Sequence, residues 1–94
     1  MPLNQRISFK TMLKKQNLLQ VPKLVREQTS LEPPEVVKVT LTVIGKLGAK
    51  ESFLTRIHKD GRIAVPRLIL ALLSQGEPNI RKYVIEVTLE PTYH

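Results

Sequence analysis

The chain repeats itself, and this repeat limits its fold more than any other feature of the sequence. When the sequence is shifted by 44 residues, Ser8–Thr11 (SFKT) falls on Ser52–Thr55 (SFLT), and Val21–Leu24 (VPKL) falls on Val65–Leu68 (VPRL). Seven of the seventeen aligned pairs between residues 8 and 24 are identical. Such a match indicates a tandem duplication, in which neither copy can bury its apolar face alone.

A second block of similarity sets the limits of the two copies. Val36–Leu41 (VVKVTL) aligns with Val84–Leu89 (VIEVTL) at a shift of 48 residues, so the second copy has four more residues between its blocks. We interpret the 94 residues as a single domain with copies at residues 7–44 and 51–91. Residues 45–50, which include Gly45 and Gly48, form the predicted linker.

Each copy is predicted to run strand, tight turn, strand, short helix, loop, strand. Apolar residues alternate at period two, then cluster at helical spacing, and then alternate again. Successive side chains of a strand point to opposite faces, so one face is expected in the core and the other in water. The residues expected to be buried are Ile7, Phe9, Leu13, Val37, Val39, Leu41, Val43, Phe53, Ile57, Ile85, Val87 and Leu89. The residues expected to be exposed are Lys10, Met12, Lys14, Arg56 and His58.

The turn of the second copy is predicted at Asp60-Gly61, a pair that readily adopts the positive φ of a type I′ turn. Its counterpart in the first copy is Gln16-Asn17, and Asn tolerates positive φ best after Gly. We expect each turn to close a hairpin.

Pro22 and Pro66 are predicted to be the first residues of two short helices, where a missing N–H is tolerated. The helix residues expected to face the core are Leu24, Val25, Leu68, Ile69, Leu72 and Leu73, with Arg26 and Glu27 in solvent. Leu70 adds an apolar side chain to a helix that is already apolar. Burial is the favoured interpretation of Leu70, and a self-association surface is the alternative.

Two such copies supply six strands and two short helices. The predicted fold class is therefore mainly β with two short helices. The economical arrangement is one closed six-stranded barrel of two ββαβ halves with pseudo-twofold symmetry, because closure also removes the edges of the sheet.

Composition narrows the functional classes. The 15 Lys and Arg residues against 8 acidic residues give a net charge of +7, which favours a polyanionic partner such as nucleic acid. The chain has no Cys, which excludes a disulfide scaffold, thiolate metal sites and thiol nucleophiles. The longest uncharged apolar stretch, residues 68–74, is far shorter than the roughly 20 residues of a membrane span, so we expect a soluble, cytoplasmic protein.

The segment Lys59–Pro66 (KDGRIAVP) resembles the AbrB-type family of transition-state regulators and antitoxins. The shared pattern is a strand, Gly-Arg, a β-branched residue, and Val-Pro before a helix, and the resemblance extends over residues 7–91. It implies a cradle-loop barrel of RIFT type, with a double-psi β-barrel as the alternative. It also implies a DNA-binding transcriptional regulator, and it suggests an archaeal transcription factor. Because this chain fuses two copies, the resemblance implies a monomer that is a pseudo-dimer.

In that family, basic residues of the first hairpin and of the Gly-Arg turn contact DNA. The matching positions here are Lys59 and Arg62, and Arg56 shares their outward strand face. The first copy has Asn17-Leu18 in place of Gly-Arg, although positive charge is nearby at Lys10, Lys14 and Lys15. We expect these six residues to contact phosphates of double-stranded DNA, with Arg62 the residue best suited to read a base edge.

Two other functions stay open. One is a protein-interaction or assembly module that self-associates through the second helix. The other is a non-catalytic barrel that binds a small ligand of the nucleotide or flavin type, although Gly45 and Gly48 fit no phosphate-binding loop. An enzyme is not expected, since the chain has one Asp and two His, and His58 near Asp60 has no evident third partner. No cofactor or metal is expected.

Overall fold

The computed structural model describes residues 5–29, 35–45, 49–74 and 79–92. The elements in chain order are β1 (Ile7–Thr11), β2 (Leu18–Gln20), α1 (Lys23–Gln28), β3 (Val36–Val43), β4 (Lys50–Arg56), β5 (Arg62–Ala64), α2 (Arg67–Ser74) and β6 (Ile85–Pro91). Short 3₁₀ turns lie at Lys15–Asn17 and Ile80–Lys82. Lys50, predicted in the linker, is the first residue of β4, and linker residues 46–48 lie outside the described residues.

The strands form two antiparallel sheets, one in the order β1-β6-β3-β4 and the other of β2 and β5. Each ladder therefore joins residues 7–44 to residues 51–91. The prediction of two hairpins is wrong, although both turns are present. β2 pairs with β5 rather than with β1, and β4 pairs with β3 rather than with β5. Strands of three residues gain more from pairing across the molecule, where both can cover the core.

The pairing registers are symmetric. Ser8 lies opposite Thr88, and Ser52 lies opposite Thr40, while Thr40 and Thr88 lie opposite each other in the middle of the sheet. The Ser8 and Thr88 hydroxyls are 2.8 Å apart, as are those of Thr40 and Ser52. A row of four hydroxyls thus crosses the outer face of the four-stranded sheet. In the small sheet, Leu19 lies opposite Ile63 in the equivalent central place.

The core lies between the two sheets. The alternation of apolar residues predicted its strand residues, and this prediction is confirmed: Val37, Val39, Leu41, Val43, Ile57, Ile85, Val87 and Leu89 are buried, with Leu13 beside them and Ile7, Phe9 and Phe53 packed against them. Lys10, Met12, Lys14, Arg56 and His58 are exposed, as expected.

Both helices begin one residue later than predicted. Pro22 has φ −58° and ψ 144°, an extended conformation, so it precedes the first helical residue, Lys23. Its carbonyl accepts a hydrogen bond from the Arg26 N–H at 3.1 Å, and the Pro66 carbonyl accepts one from the Leu70 N–H at the same distance. Pro in this place loses nothing, since the carbonyl rather than the N–H begins the helical ladder.

The predicted inner faces of the helices are only partly correct. Leu73 is fully buried, and Val25, Ile69 and Leu70 are partly buried and pack against the core, so the burial predicted for Leu70 is confirmed in part. The predictions for three other residues are wrong, because Leu24, Leu68 and Leu72 are 62%, 70% and 46% exposed. Arg26, expected in solvent, is half-buried. Helices of six and eight residues touch the core along one narrow row, so apolar residues beside that row stay in water.

The structure is thus mainly β, with two short helices and antiparallel sheets. The described strands do not form one continuous closed ladder, because β2 and β5 make a sheet of their own. Within the described residues, no helix is long and apolar enough to cross a membrane.

Candidate nucleic-acid interface

Two turns carry most of the predicted binding residues. Turn one spans residues 14–18, and the Lys14 N–H donates to the Leu18 carbonyl at 2.8 Å. Gln16 and Asn17 both have positive φ, 63° and 60°, as expected for that pair. Turn two spans residues 58–62, and the His58 N–H donates to the Arg62 carbonyl at 3.0 Å.

Turn two is not the predicted type I′ turn. Gly61 has φ 86°, but Asp60 does not share the positive φ that a type I′ turn requires at both central residues. The Gly61 N–H donates to the His58 carbonyl at 2.9 Å, which leaves Gly61 as the single left-handed residue at the end of the turn. Gly is therefore required at one position and not at the pair.

Each turn is held by the other half of the molecule. The Val65 N–H donates to the Asn17 carbonyl at 3.0 Å, and the Val21 N–H donates to the Gly61 carbonyl at 2.9 Å. The turns consequently lie at opposite ends of the β2·β5 ribbon. The three residues of β2 lie between Asn17 and Val21, and the four steps along this chain place the turns about 13 Å apart.

All six predicted binding residues are exposed. Lys14 and Lys15 lie on turn one, and Lys59 and Arg62 lie on turn two. Arg56 is the last residue of β4, next to turn two in the chain. Lys10 is different, because it lies in β1 on the outer face of the four-stranded sheet, opposite Glu86 in the register. The fold therefore gathers five of the six residues at the two turns.

An open cavity of about 340 Å³ lies where β4 leads into turn two. Its described lining consists of Arg56, Ile57, His58 and Lys59. Two of these residues, Arg56 and Lys59, carry positive charge, so the cavity favours an anionic ligand.

Arg62 is paired within its own turn. Its Nε lies 2.6 Å from Asp60 Oδ2, and its backbone N–H donates to Asp60 Oδ1 at 3.3 Å. Desolvation raises the pKa of the Asp60 carboxyl, but the backbone hydrogen bond and the positive charge of Arg62 outweigh it, so the pKa lies below its ordinary value. Asp60 thus stays ionised and orients the Arg62 guanidinium.

Two residues near turn two escaped the sequence analysis. Gln20 lies opposite Arg62 on the ribbon, and its Nε2 donates to the Asp60 carbonyl at 2.8 Å. Arg26, on α1, lies against Gly61. Both residues belong to the first copy in sequence, but they contact the turn of the second copy. Local sequence patterns do not predict contacts between residues this far apart in the chain.

Turn one also has an unforeseen partner. Arg81 Nη2 donates to Asn17 Oδ1 at 3.1 Å. An amide at this position accepts a hydrogen bond that glycine could not. Within the described ranges, no three His, Asp or Glu side chains are grouped so that they could hold a metal ion.

Comparison with known proteins gives one informative result. No protein-family model and no curated protein matches the chain. Among solved structures, it resembles PHS018 from Pyrococcus horikoshii with a TM-score of 0.73, over 99% of this chain and 100% of that chain. The two sequences are 18% identical. At this identity the likeness shows a shared fold and carries no function with it.

Proposed function

We propose that this protein is a double-stranded DNA-binding transcriptional regulator, related to AbrB-type proteins and acting as a cytoplasmic monomer without cofactor or catalysis. The observation that carries the proposal is the pair of exposed basic turns at the two ends of the β2·β5 ribbon. Lys14 and Lys15 at one end, and Lys59, Arg62 and Arg56 at the other, would neutralise phosphates.

The dimensions of the ribbon support this mode of binding. The major groove of DNA is about 12 Å wide and admits a two-stranded β-ribbon. The two turns, about 13 Å apart, are spaced to meet the backbones on either side of it. The net charge of +7 adds a long-range attraction for DNA.

Sequence discrimination would come from the exposed side of the ribbon. Ile63 is buried beneath it, so its neighbour Arg62 occupies the opposite side. Arg pairs with guanine in the major groove. Gln20 lies on the same side, but its Nε2 already donates to the carbonyls of Val21 and Asp60. One candidate reader provides limited discrimination, so most of the affinity would be independent of sequence and sensitive to salt.

The same proposal includes a duplicated chain closed as a RIFT-type barrel, with the double-psi connectivity as the alternative. The symmetric registers support the duplication, because shifts of 44 and 48 residues convert the β1·β6 ladder into the β4·β3 ladder. The Val21 N–H donates to the Gly61 carbonyl and the Val65 N–H donates to the Asn17 carbonyl, so the pairing of the small sheet extends one residue beyond each end of its strands. This extension supports the barrel proposal.

The test is fluorescence anisotropy of a labelled mixed-sequence duplex, titrated with protein at several salt concentrations. The variants are K14A/K15A and K59A/R62A, each of which removes two charges from one turn. The matched control is K38A/K50A, which removes two exposed charges from the outer face of the four-stranded sheet. We expect each turn variant to lower the salt slope by about two and the control to leave it unchanged. Absence of binding by the unmodified protein at low salt would overturn the proposal.

A protein-interaction module is the second candidate, and one observation favours it. Leu68 and Leu72 lie one helical turn apart on α2 and are 70% and 46% exposed. Leu70, the residue first considered for such a surface, packs against the core instead. Sedimentation of the unmodified protein and of L68S/L72S would reveal self-association through this face, and a monomer at all concentrations would count against it.

A further inference from the structure

The side chain of Arg26 packs against turn two, although Arg26 belongs to α1 and therefore to the first copy. A Cβ atom placed on Gly61 would stand 2.7 Å from Arg26 Nε and 3.0 Å from both Cδ and Cζ. The guanidinium group therefore occupies the space that a side chain at position 61 would fill. Glycine at this position serves two purposes, since it allows φ 86° and makes room for the arginine.

The Nε atom of Arg26 is buried and has no hydrogen-bond partner among the described residues. Buried polar atoms in folded proteins are nearly always hydrogen-bonded, so an exception calls for a reason. Close packing against Gly61 restricts the movement of the guanidinium. A group fixed in this way loses little conformational freedom when its remaining N–H groups bind a ligand.

The charges around Gly61 favour an anion. Arg26, Lys59 and Arg62 carry three positive charges, against one negative charge on Asp60. The Asp60 carboxylate holds Arg62 at 2.6 Å and so limits repulsion among the three cations before a ligand arrives. Guanidinium groups present parallel N–H donors that match the oxygens of a phosphate.

The equivalent place in the other half has lost each of these features. A shift of 44 residues relates Arg26 to Leu70, Gly61 to Asn17 and Arg62 to Leu18. Leu70 packs against the core, and Asn17 accepts a hydrogen bond from Arg81. Turn one is thus completed by protein contacts, whereas turn two combines clustered positive charge with a buried guanidinium atom that has no partner among the described residues.

We propose that Arg26, Lys59 and Arg62 form a phosphate-binding site at turn two, with Arg26 its fixed guanidinium. The inference deepens the proposed function and rests on it, since we assign the phosphate to the DNA backbone. A free phosphate or nucleotide offers the same chemistry, and the experiment separates the two sources.

The experiment follows backbone amide signals by NMR during titration with inorganic phosphate and, separately, with a short mixed-sequence duplex. The reporters are Gly61 and Arg62, and the internal reference is the equivalent pair Asn17 and Leu18. The main variant is R26L, which installs the side chain that the other half carries at the same place. R26K keeps the charge but lacks the planar donors, and K50A removes one exposed charge at the far end of β4.

We expect phosphate to shift the signals of Gly61 and Arg62 more than those of Asn17 and Leu18. R26L should weaken phosphate binding about tenfold and lower the salt slope of duplex binding by about one. R26K should keep the salt slope while weakening phosphate binding, a pattern that a purely structural role of Arg26 would not produce. K50A should behave like the unmodified protein. If R26L proves unfolded, R26K tests the same proposal, because weaker binding of phosphate by R26K supports the site and unchanged binding contradicts it.

Two results would overturn the inference. One is an R26L affinity for phosphate equal to that of K50A, and the other is equal phosphate-induced shifts at both turns. If duplex binding is nonetheless strong and salt-dependent, this site fails and the proposed function stands. If the duplex does not bind but phosphate binding depends on Arg26, the proposed function fails and the site takes a free phosphate compound.

Discussion

Turns one and two occupy equivalent places at the two ends of the same ribbon, yet uncharged residues form the centre of turn one and charged residues flank the glycine of turn two. Turn one has Gln16, Asn17 and Leu18, and the amide oxygen of Asn17 accepts a hydrogen bond from the Arg81 guanidinium. Turn two has Asp60, Gly61 and Arg62, with an internal ion pair and a guanidinium group pressed on the glycine. The two turns lie at equivalent places in the chain, but they differ in side-chain chemistry and also in backbone conformation, because Gln16 and Asn17 both have positive φ whereas only Gly61 does in turn two. Symmetric pairing in the sheets thus coexists with different side-chain chemistry at the two turns.

The largest expected effects concern the symmetric core. Leu19 and Ile63 lie opposite each other at the centre of the ribbon, and both are fully buried. L19A and I63A should each lower the free energy of unfolding by about 2–5 kcal/mol, because each leaves a cavity in the core. The two losses should be similar, because the two side chains have similar surroundings. Chemical denaturation measures this. Costs that differ by more than about 1.5 kcal/mol would show that the symmetry of the registers does not extend to the packing.

The turns should respond unequally to the same small side chain. G61A introduces a Cβ at φ 86° and pushes it against Arg26, so we expect a loss of about 1–2 kcal/mol from backbone conformation alone. N17A should lower stability by less, since Asn17 already carries a Cβ in that conformation. Equal losses in denaturation experiments would remove the distinction between the turns. The double variant G61A/R26A should recover part of the loss of G61A, because the collision is then absent.

The hydroxyl row offers a finer comparison away from the turns. The Ser8–Thr88 and Thr40–Ser52 hydrogen bonds are both 2.8 Å long and lie in equivalent positions. S8A and S52A should each lower the free energy of unfolding by about 0.5–1.5 kcal/mol, and by similar amounts. A clear inequality, measured in the same denaturation series, would mean that the divergence of the two halves reaches the sheet.

The smallest expected effect is on the titration of turn two. The lowered pKa of Asp60 means that its pairing with Arg62 is complete above the ordinary pKa of an aspartate and is lost as the pH falls through the lowered value. In R62A the pKa of Asp60 should rise, although the backbone N–H of residue 62 remains a donor. Carbon NMR of the carboxyl group measures this directly. An unchanged pKa in R62A would assign the shift to the backbone alone, and turn one, with Gln16 at this position, has no such titration.

The strands could be predicted from the sequence, whereas the contacts between halves could not. Alternation identified Val37, Val39, Ile85 and Val87 as core residues because a strand has only two faces, and one of them must be apolar. The same reasoning was wrong for Leu68 and Leu72. A short helix that is apolar on every side carries no pattern to indicate which row touches the core.

The candidate site at turn two also combines residues that the sequence could identify with residues that it could not. Lys59 and Arg62 could be named from the sequence, because they match the Gly-Arg turn of the AbrB-type pattern, and both are exposed in the structure. Gln20 and Arg26 could not, since each is about 40 residues from turn two in the chain. Only the pairing of β2 with β5 brings them there, and local sequence does not specify which strand a three-residue strand will choose.

The pairing of strands between the two halves also has a consequence for the order in which the ladders form. The connection between β3 and β4 is short, so their ladder closes a small loop, whereas Ser8 reaches Thr88 across 80 positions of the chain. The two ladders are equivalent in the finished molecule but very unequal in the entropy of loop closure. We therefore expect the β3·β4 ladder to form before the β1·β6 ladder. The two ladders match in register but differ in the length of chain that separates their strands, and this difference in sequence separation affects how fast each can form.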